Sequence, residues 1–169
     1  MTSNVNTGPE SIRITRVTDR DIPALWRMAN REAEYERMSD SFTATEQTLK
    51  EALCAQRPAA EAIIARVGEE PVGFSVCYPT FSTFSARWGL YMEDLFVEEK
   101  WRGHGIGYKL LAHVAAIALE RGYHAVNWSV FKWNVSAIGF YHRIGGQRLD
   151  AWDHFSLTGE ALRDLAQRT

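Results

Sequence analysis

Cysteine is scarce in this sequence: Cys54 and Cys77 are the only 2 in 169 residues, and they fall in no CxxC or metal-like spacing. Two thiols in a chain this long exclude the disulfide scaffold of small secreted proteins and fit a reducing compartment. An excess of positive charge is missing too. The 19 Lys and Arg face 21 Asp and Glu, for a formal net charge of -2, so the basic stripe of a nucleic-acid binder is absent. Long apolar runs are also lacking. Val114–Leu119 is the longest uncharged apolar stretch, far short of the roughly 20 residues that span a bilayer. The opening ten residues, MTSNVNTGPE, have neither a basic start nor an apolar core, so they read as a flexible polar tail and not as a secretory leader. The five histidines are dispersed, with no pair at zinc-like spacing, so no metal is predicted. These absences together predict a cytoplasmic protein with no nucleic-acid, membrane or metal partner.

What is present is an ordinary globular composition, with 46% hydrophobic residues. That content and length predict one domain, residues 11–169, behind the tail at 1–10. Ser11–Val17 (SIRITRV) alternates apolar and polar residues and reads as a half-buried strand. Thr18 to Asp21, followed by Pro23, opens a helix expected to reach Arg37. Thr45 with Glu46 opens a shorter one through Leu53. Glu61–Val67 and Pro71–Tyr78 read as a hairpin around Gly68-Glu69-Glu70, and Pro79–Arg87 has loop composition. Trp88–Val97 (WGLYMEDLFV) is strongly β-forming, with two acids interrupting an apolar run. Helix patterning follows from Gly105 to Arg121, a strand at Ala125–Phe131, a helix at Asn134–Arg143, a strand at Gln147–Asp150 and a terminal helix at Thr158–Gln167. The order predicts a mixed α/β (α+β) fold: a twisted, mostly antiparallel sheet of about six to seven strands with flanking helices.

The segment most charged with chemistry is Val97–Lys109, VEEKWRGHGIGYK. A strand ends, a charged loop follows, and Arg102-Gly103-His104-Gly105-Ile106-Gly107 runs into a helix. Glycines let backbone approach a ligand closely, and the amides at a helix start converge where the macrodipole favours an anion. A pyrophosphate suits such a turn; the plainer alternative is a tight strand-to-helix connection with no ligand. A Walker A loop is excluded because no G-K-[ST] follows, and the Gly103-x-Gly105-x-Gly107 spacing is not the dinucleotide fingerprint.

Three pieces in order carry a family resemblance: Tyr91-Met92-Glu93-Asp94-Leu95-Phe96-Val97, Arg102-Gly103-His104-Gly105-Ile106-Gly107, and Trp133-Asn134 with Phe140-Tyr141-His142-Arg143-Ile144-Gly145-Gly146. Residues 91–145 resemble the GCN5-related N-acetyltransferases, most closely the diamine (spermidine/spermine) and thialysine acetyltransferase branch. The resemblance implies acetyl-CoA as co-substrate. Leu95, Phe96 and Val97 would pair with the pantetheine arm, and Arg102, Gly103, His104, Gly105, Ile106, Gly107 and Tyr108 would cradle the pyrophosphate. Asn134, Ala137, Tyr141 and Arg143 would complete the cofactor contacts.

The same resemblance makes Tyr141 the general acid toward the departing CoA thiolate. Glu93 becomes the group that takes the proton of the amine, directly or through water. Glu93 and Asp94 are neighbours on a strand and are expected on opposite faces, so only one should meet the substrate. Tyr35, Glu36, Asn127, Trp128 and Ser129 match positions that line the amine site. Lys109, Lys132 and Arg143 are further candidates for the CoA phosphates. Cys77 reads as a small buried hydrophobe, which favours direct transfer in a ternary complex over an acyl-enzyme.

Polyamine-acetylating members carry an Asp-Pro-Trp arrangement before the Glu-Asp strand, where this chain has Phe81-Ser82-Thr83-Phe84. The lost acid removes a partner for a distant second ammonium. The expected activity is therefore acetylation of a small-molecule primary amine (a diamine, a polyamine or a thialysine-like amino acid) by a homodimer. A protein or peptide N-acetyltransferase and a CoA-binding sensor without turnover are the alternatives.

Overall fold

The computed structural model describes residues 11–151 and 153–168; the predicted tail lies outside them. The chain divides after Ser129 into two compact units.

The first unit is built on a five-stranded sheet in the order β1-β2-β3-β4-β5: β1 Ile12–Arg16, β2 Glu61–Val67, β3 Glu70–Ser82, β4 Arg87–Val97 and β5 Val126–Trp128. The first four strands pair antiparallel and β5 joins β4 parallel. That is the predicted mixed, mostly antiparallel sheet, with five strands among the described residues instead of six to seven. Gln147–Asp150 is not a strand: it is exposed and pairs with nothing in the sheet. Four residues without a partner strand cannot satisfy their own amides, which is why so short a segment predicts poorly.

Pro79–Arg87 also departs from expectation. β3 runs on through Ser82, pairing Thr80 with Gly89 and Phe81 with Trp88, and only residues 83–86 form the turn. The tilted Phe81–Trp88 pair, with ring centroids 5.1 Å apart, holds this hairpin extension through cross-strand aromatic contact that its Ser and Thr content hides.

Helices α1 (Ile22–Tyr35), α2 (Glu46–Cys54) and α3 (Ile106–Glu120) belong to the first unit. Their starts follow the sequence. Thr18 closes a capping box with Asp21, and Thr45 accepts from the Thr48 amide. Leu25 and Met28 of α1 pack on Ala62, Ile64, Phe74 and Phe96, with Leu49 and Leu53 of α2 against the same cluster. The strand alternation sends Ile63 and Ala65 to the other face, where α3 buries Ile106, Leu110 and Val114. Gly73 lets α3 sit close: a Cβ there would lie 2.6 Å from the Phe96 carbonyl and 3.3 Å from Leu110. Arg16 and Arg121 both pair with Glu61, which ties β1 and the end of α3 to β2.

The second unit contains α4 (Val135–Arg143) and α5 (Gly159–Ala166). Asn134 caps α4 by accepting from the Ala137 amide at 3.2 Å, and Gly145 ends it in the left-handed region at φ 88°, the usual helix stop. No helix among the described residues is long and apolar enough to cross a membrane.

Candidate active site

The site in the first unit begins with an irregularity in β4. Asp94 pairs with Val76 and Met92 with Cys77, so Glu93 is an extra residue with no cross-strand partner. Such a bulge re-aims side chains and breaks the simple alternation of the strand. β5 follows β4 only from Leu90 to Met92, opposite Val126 to Trp128. Among the described residues β5 pairs with β4 no further than Met92; in the stretch that follows, the Leu95 amide meets Glu32 of α1 and the Val97 carbonyl accepts from Arg102.

Glu93 is exposed and accepts a hydrogen bond from the Tyr78 hydroxyl at 3.1 Å. Tyr78 packs its ring on Tyr91 at 5.4 Å, and Tyr91 and Ser129 share a hydrogen bond of 2.7 Å. Trp128 lies beside Met92 in the register and Asn127 beside Tyr91. Tyr78 of β3 thus meets Glu93 directly, and Tyr91 links that pair to Ser129 just after β5.

From α1 come two more acids. Glu32 and Glu36 are one turn apart and share a helix face. Burial raises the Glu32 carboxyl well above the ordinary range, and the charges of Asp94, Glu36 and Glu93 add to it against the Leu95 amide. Burial likewise raises Glu36. Asp94 is pushed up to about 7 by burial, then by Glu93 and Glu36. Four carboxyls thus converge where the last turn of α1 meets the β4 bulge. Both Glu93 and Asp94 act electrostatically on Glu32 of α1, although simple alternation along a strand would send them to opposite faces.

Of the residues expected at the amine site, Glu36 and Glu93 interact here with Glu32 and Asp94, Tyr35 carries the Arg102 guanidinium over its ring, and Glu32 and Tyr78 are not among the candidates. The i, i+4 spacing of Glu32 from Glu36 was the available signal for the first. Nothing in the sequence pairs Tyr78 with Glu93, since that contact depends on register.

A cluster of repelling acids has a sign. A carboxyl raised in the folded state contributes stability below its unfolded pKa and loses it as pH rises through the folded value. Between about pH 4 and pH 7 this site should therefore destabilise the fold progressively. Carboxylates held low act the other way, but only at lower pH; Glu61, held by Arg121 against burial and with help from Arg16, is one. Thermal melts are expected to show a lower Tm at pH 8 than at pH 5.5, by on the order of 2 kcal/mol in stability. Asp94→Asn should remove much of that difference. An unchanged slope in this variant would mean that burial and the neighbouring acids do not raise Asp94.

The loop after β4 carries the glycine motif. The Glu98 amide donates to the Val72 carbonyl at 2.9 Å, a short turn spans Glu99–Trp101, and Gly103 and Gly105 take φ of 81° and 78°. A Cβ at either would touch nothing within 4 Å, so glycine is needed there for conformation and not for space. Ile106 is fully buried and pins the start of α3. Gly105 as N-cap offers no side-chain acceptor, so the first amides of α3 remain available to an anion, with Gly107 and Tyr108 in the first turn. The arrangement fits a pyrophosphate.

His104 turns its ring to the loop's own carbonyls, 3.0 Å from that of Arg102. The Arg102 Nε donates to the Val97 carbonyl at 3.1 Å. Lys109 is exposed on α3.

In the second unit Tyr141 lies on α4, half-buried, with its ring 5.2 Å from that of Phe140. Ala137 sits in the first turn of the same helix, held by its bond to Asn134. Arg143 is exposed in the last turn and folds back toward Gly139; Lys132 is exposed before the helix. Cys77, back in the first unit, is 3% exposed, and burial pushes its thiol up to about 11. It is a poor nucleophile at neutral pH.

A profile of the acetyltransferase (GNAT) family matches residues 22–146. The thialysine N-epsilon-acetyltransferase of Sus scrofa is 31% identical over 167 residues, covering 92% of this chain and 98% of that protein. The L-ornithine N5-acetyltransferase of Arabidopsis thaliana is 29% identical, covering 90% and 87%. Among solved structures, an integron cassette protein from the mobile metagenome of V. cholerae superposes with a TM-score of 0.76 at 27% identity, covering 93% of this chain and 98% of that one.

Proposed function

The chain belongs to the GNAT family of acetyltransferases, and on that premise we propose that it moves the acetyl group of acetyl-CoA onto the primary amine of a small molecule. Transfer is direct, within a ternary complex. The observation that carries this reading is the four-carboxyl site at the β4 bulge, a place built to attract an ammonium and to take its proton. The relatives named for thialysine and L-ornithine support an amino acid with a terminal side-chain amine as the acceptor. The family resemblance extends the reading to a homodimer, and the sparse cysteines fit a reducing, cytoplasmic setting.

Each group then has a task. The ionised acids draw the ammonium in, and Glu93 removes one proton, directly or through water. The amine lone pair attacks the thioester carbonyl, a backbone amide of the Leu95–Val97 stretch faces the oxygen that gains charge, and the C–S bond breaks. Tyr141 returns a proton to the sulfur, which leaves as the CoA thiol beside the N-acetyl product. The glycine turn at 103–108 holds the pyrophosphate through backbone amides.

Following CoA thiol release across thialysine, L-ornithine, L-lysine, putrescine, spermidine and an amino-terminal peptide tests this reading. Saturable turnover on at least one small amine, with a kcat/KM at least about tenfold above that on the peptide, is expected, a margin that about 1.4 kcal/mol of differential binding supplies. Preference for the peptide would overturn the small-amine reading, and silence on all of them, despite acetyl-CoA binding, would favour a sensor.

A further inference from the structure

The last turn of α1 has a second working face. Arg31 and Tyr35 are one turn apart, as Glu32 and Glu36 are, but they grip the cofactor loop instead of the bulge. The Arg31 guanidinium donates to both carboxylate oxygens of Glu98 at 2.7 Å. The Arg102 guanidinium lies over the Tyr35 ring, 4.4 Å from its centroid, with the Phe96 ring at 6.0 Å on the strand below. The Nε bond to Val97 fixes its orientation. Arg102 is the residue immediately before Gly103, so the cation over Tyr35 is bonded directly to the turn that would meet the pyrophosphate. Glu98 is the first residue of the same loop. One helix turn therefore carries acids toward the amine on one face, and on the other it is clamped at both ends of the cofactor loop.

We infer that Arg102 and Tyr35, braced by Arg31 and Glu98, form a positioning clamp that couples occupancy of the pyrophosphate turn to the arrangement of the acidic amine site. This rests on the acetyl-CoA reading of the turn. When an anion fixes the amides of 103–108, the Arg102 side chain is fixed with them. Tyr35 follows, and Glu32 and Glu36 follow Tyr35. Coupling of this kind is reciprocal, so the amine should also tighten the cofactor. Arg102 is on this view a positioning residue: its side chain holds the helix while its backbone neighbours hold the phosphates.

Hydrogen exchange on the full chain, with CoA alone as the probe, tests the clamp without any amine. In the wild type, CoA should slow exchange in two places, residues 103–109 and residues 31–38. Tyr35→Leu should keep the first effect and lose most of the second. Tyr35→Phe, which keeps the ring beneath the cation, should keep most of the second effect, and Arg31→Met should weaken it partly. The loss is expected within the roughly 2- to 30-fold range that one cation–π contact supports. In turnover, Tyr35→Leu should raise the amine KM, and by a similar factor the KM for acetyl-CoA at saturating amine, while the Kd for CoA alone stays within about threefold, well under the tenfold change that about 1.4 kcal/mol would bring. Protection at 31–38 that is absent in wild type, or that survives Tyr35→Leu, would overturn the clamp while leaving the cofactor reading intact. No protection at 103–109 in wild type would sink the cofactor reading itself, and the clamp with it.

Discussion

Tyr141→Phe is expected to lower kcat by about 10²-fold or more, the scale on which a positioned general acid contributes, while CoA still binds. The change removes one oxygen. The ring stays against Phe140, and α4 keeps its Asn134 cap, so the fold should be retained. The departing sulfur is what makes the acid matter. A thiol has an ordinary pKa near 8.5 and a phenol near 10, so proton transfer from Tyr141 to a developing thiolate is thermodynamically close to even and fast in both directions. Without it, the sulfur must leave as an anion or wait for water. The measurement is kcat for thiol release against the Kd for CoA. A large kcat loss at constant Kd assigns the acid; a kcat within about threefold of wild type leaves no room for the 10²-fold contribution of an acid and would reassign Tyr141 to packing.

Much of this site can be read along the chain, and the unread part has one physical cause. Gly103 and Gly105 are legible because a left-handed backbone demands glycine and a helix follows at once. Asn134 is legible as a cap for similar local reasons. Glu36 and Tyr35 come into view through resemblance, and the i, i+4 rule then extends the acidic face to Glu32. What stays hidden depends on register. One extra residue in β4 moves Glu93 out of the ladder and brings Asp94 to the same acids, although alternation puts them on opposite faces. Tyr78 reaches Glu93 only because β3 pairs as it does. The same limit explains the hairpin extension, where Phe81 and Trp88 find each other across strands. It explains the overcounted strands as well, since Gln147–Asp150 has the pattern of a strand but no neighbour. Local chemistry is written locally, whereas pairing is decided by the whole sheet.

Glu93→Gln carries the second large loss, and its pH dependence shows what kind of loss it is. Near neutral pH an alkyl amine with a pKa of about 10.4 is almost entirely protonated, so the reactive free base is roughly one part in 10³ at pH 7.4. Glutamine keeps the size of the side chain and an oxygen for the Tyr78 hydroxyl, but it cannot take the proton. The variant must wait for the free amine. Its kcat/KM is expected to fall about 10²- to 10³-fold near pH 7 and then to rise about tenfold per pH unit, closing on wild type toward pH 10. Asp94→Asn should behave differently. Asp94, with a pKa of about 7 from burial and its acidic neighbours, is protonated in the acid half of the assay range and ionised above it. Its charge attracts the ammonium without removing the proton. Losing it should raise the amine KM above pH 7 and flatten the acid limb of kcat/KM, with kcat retained within about tenfold, below the smallest typical contribution of a general base. The two variants thus separate proton removal from charge attraction. A Glu93→Gln enzyme that kept a third or more of wild-type activity at pH 7 would place the base elsewhere in the cluster, and Glu32 would be the next group to substitute.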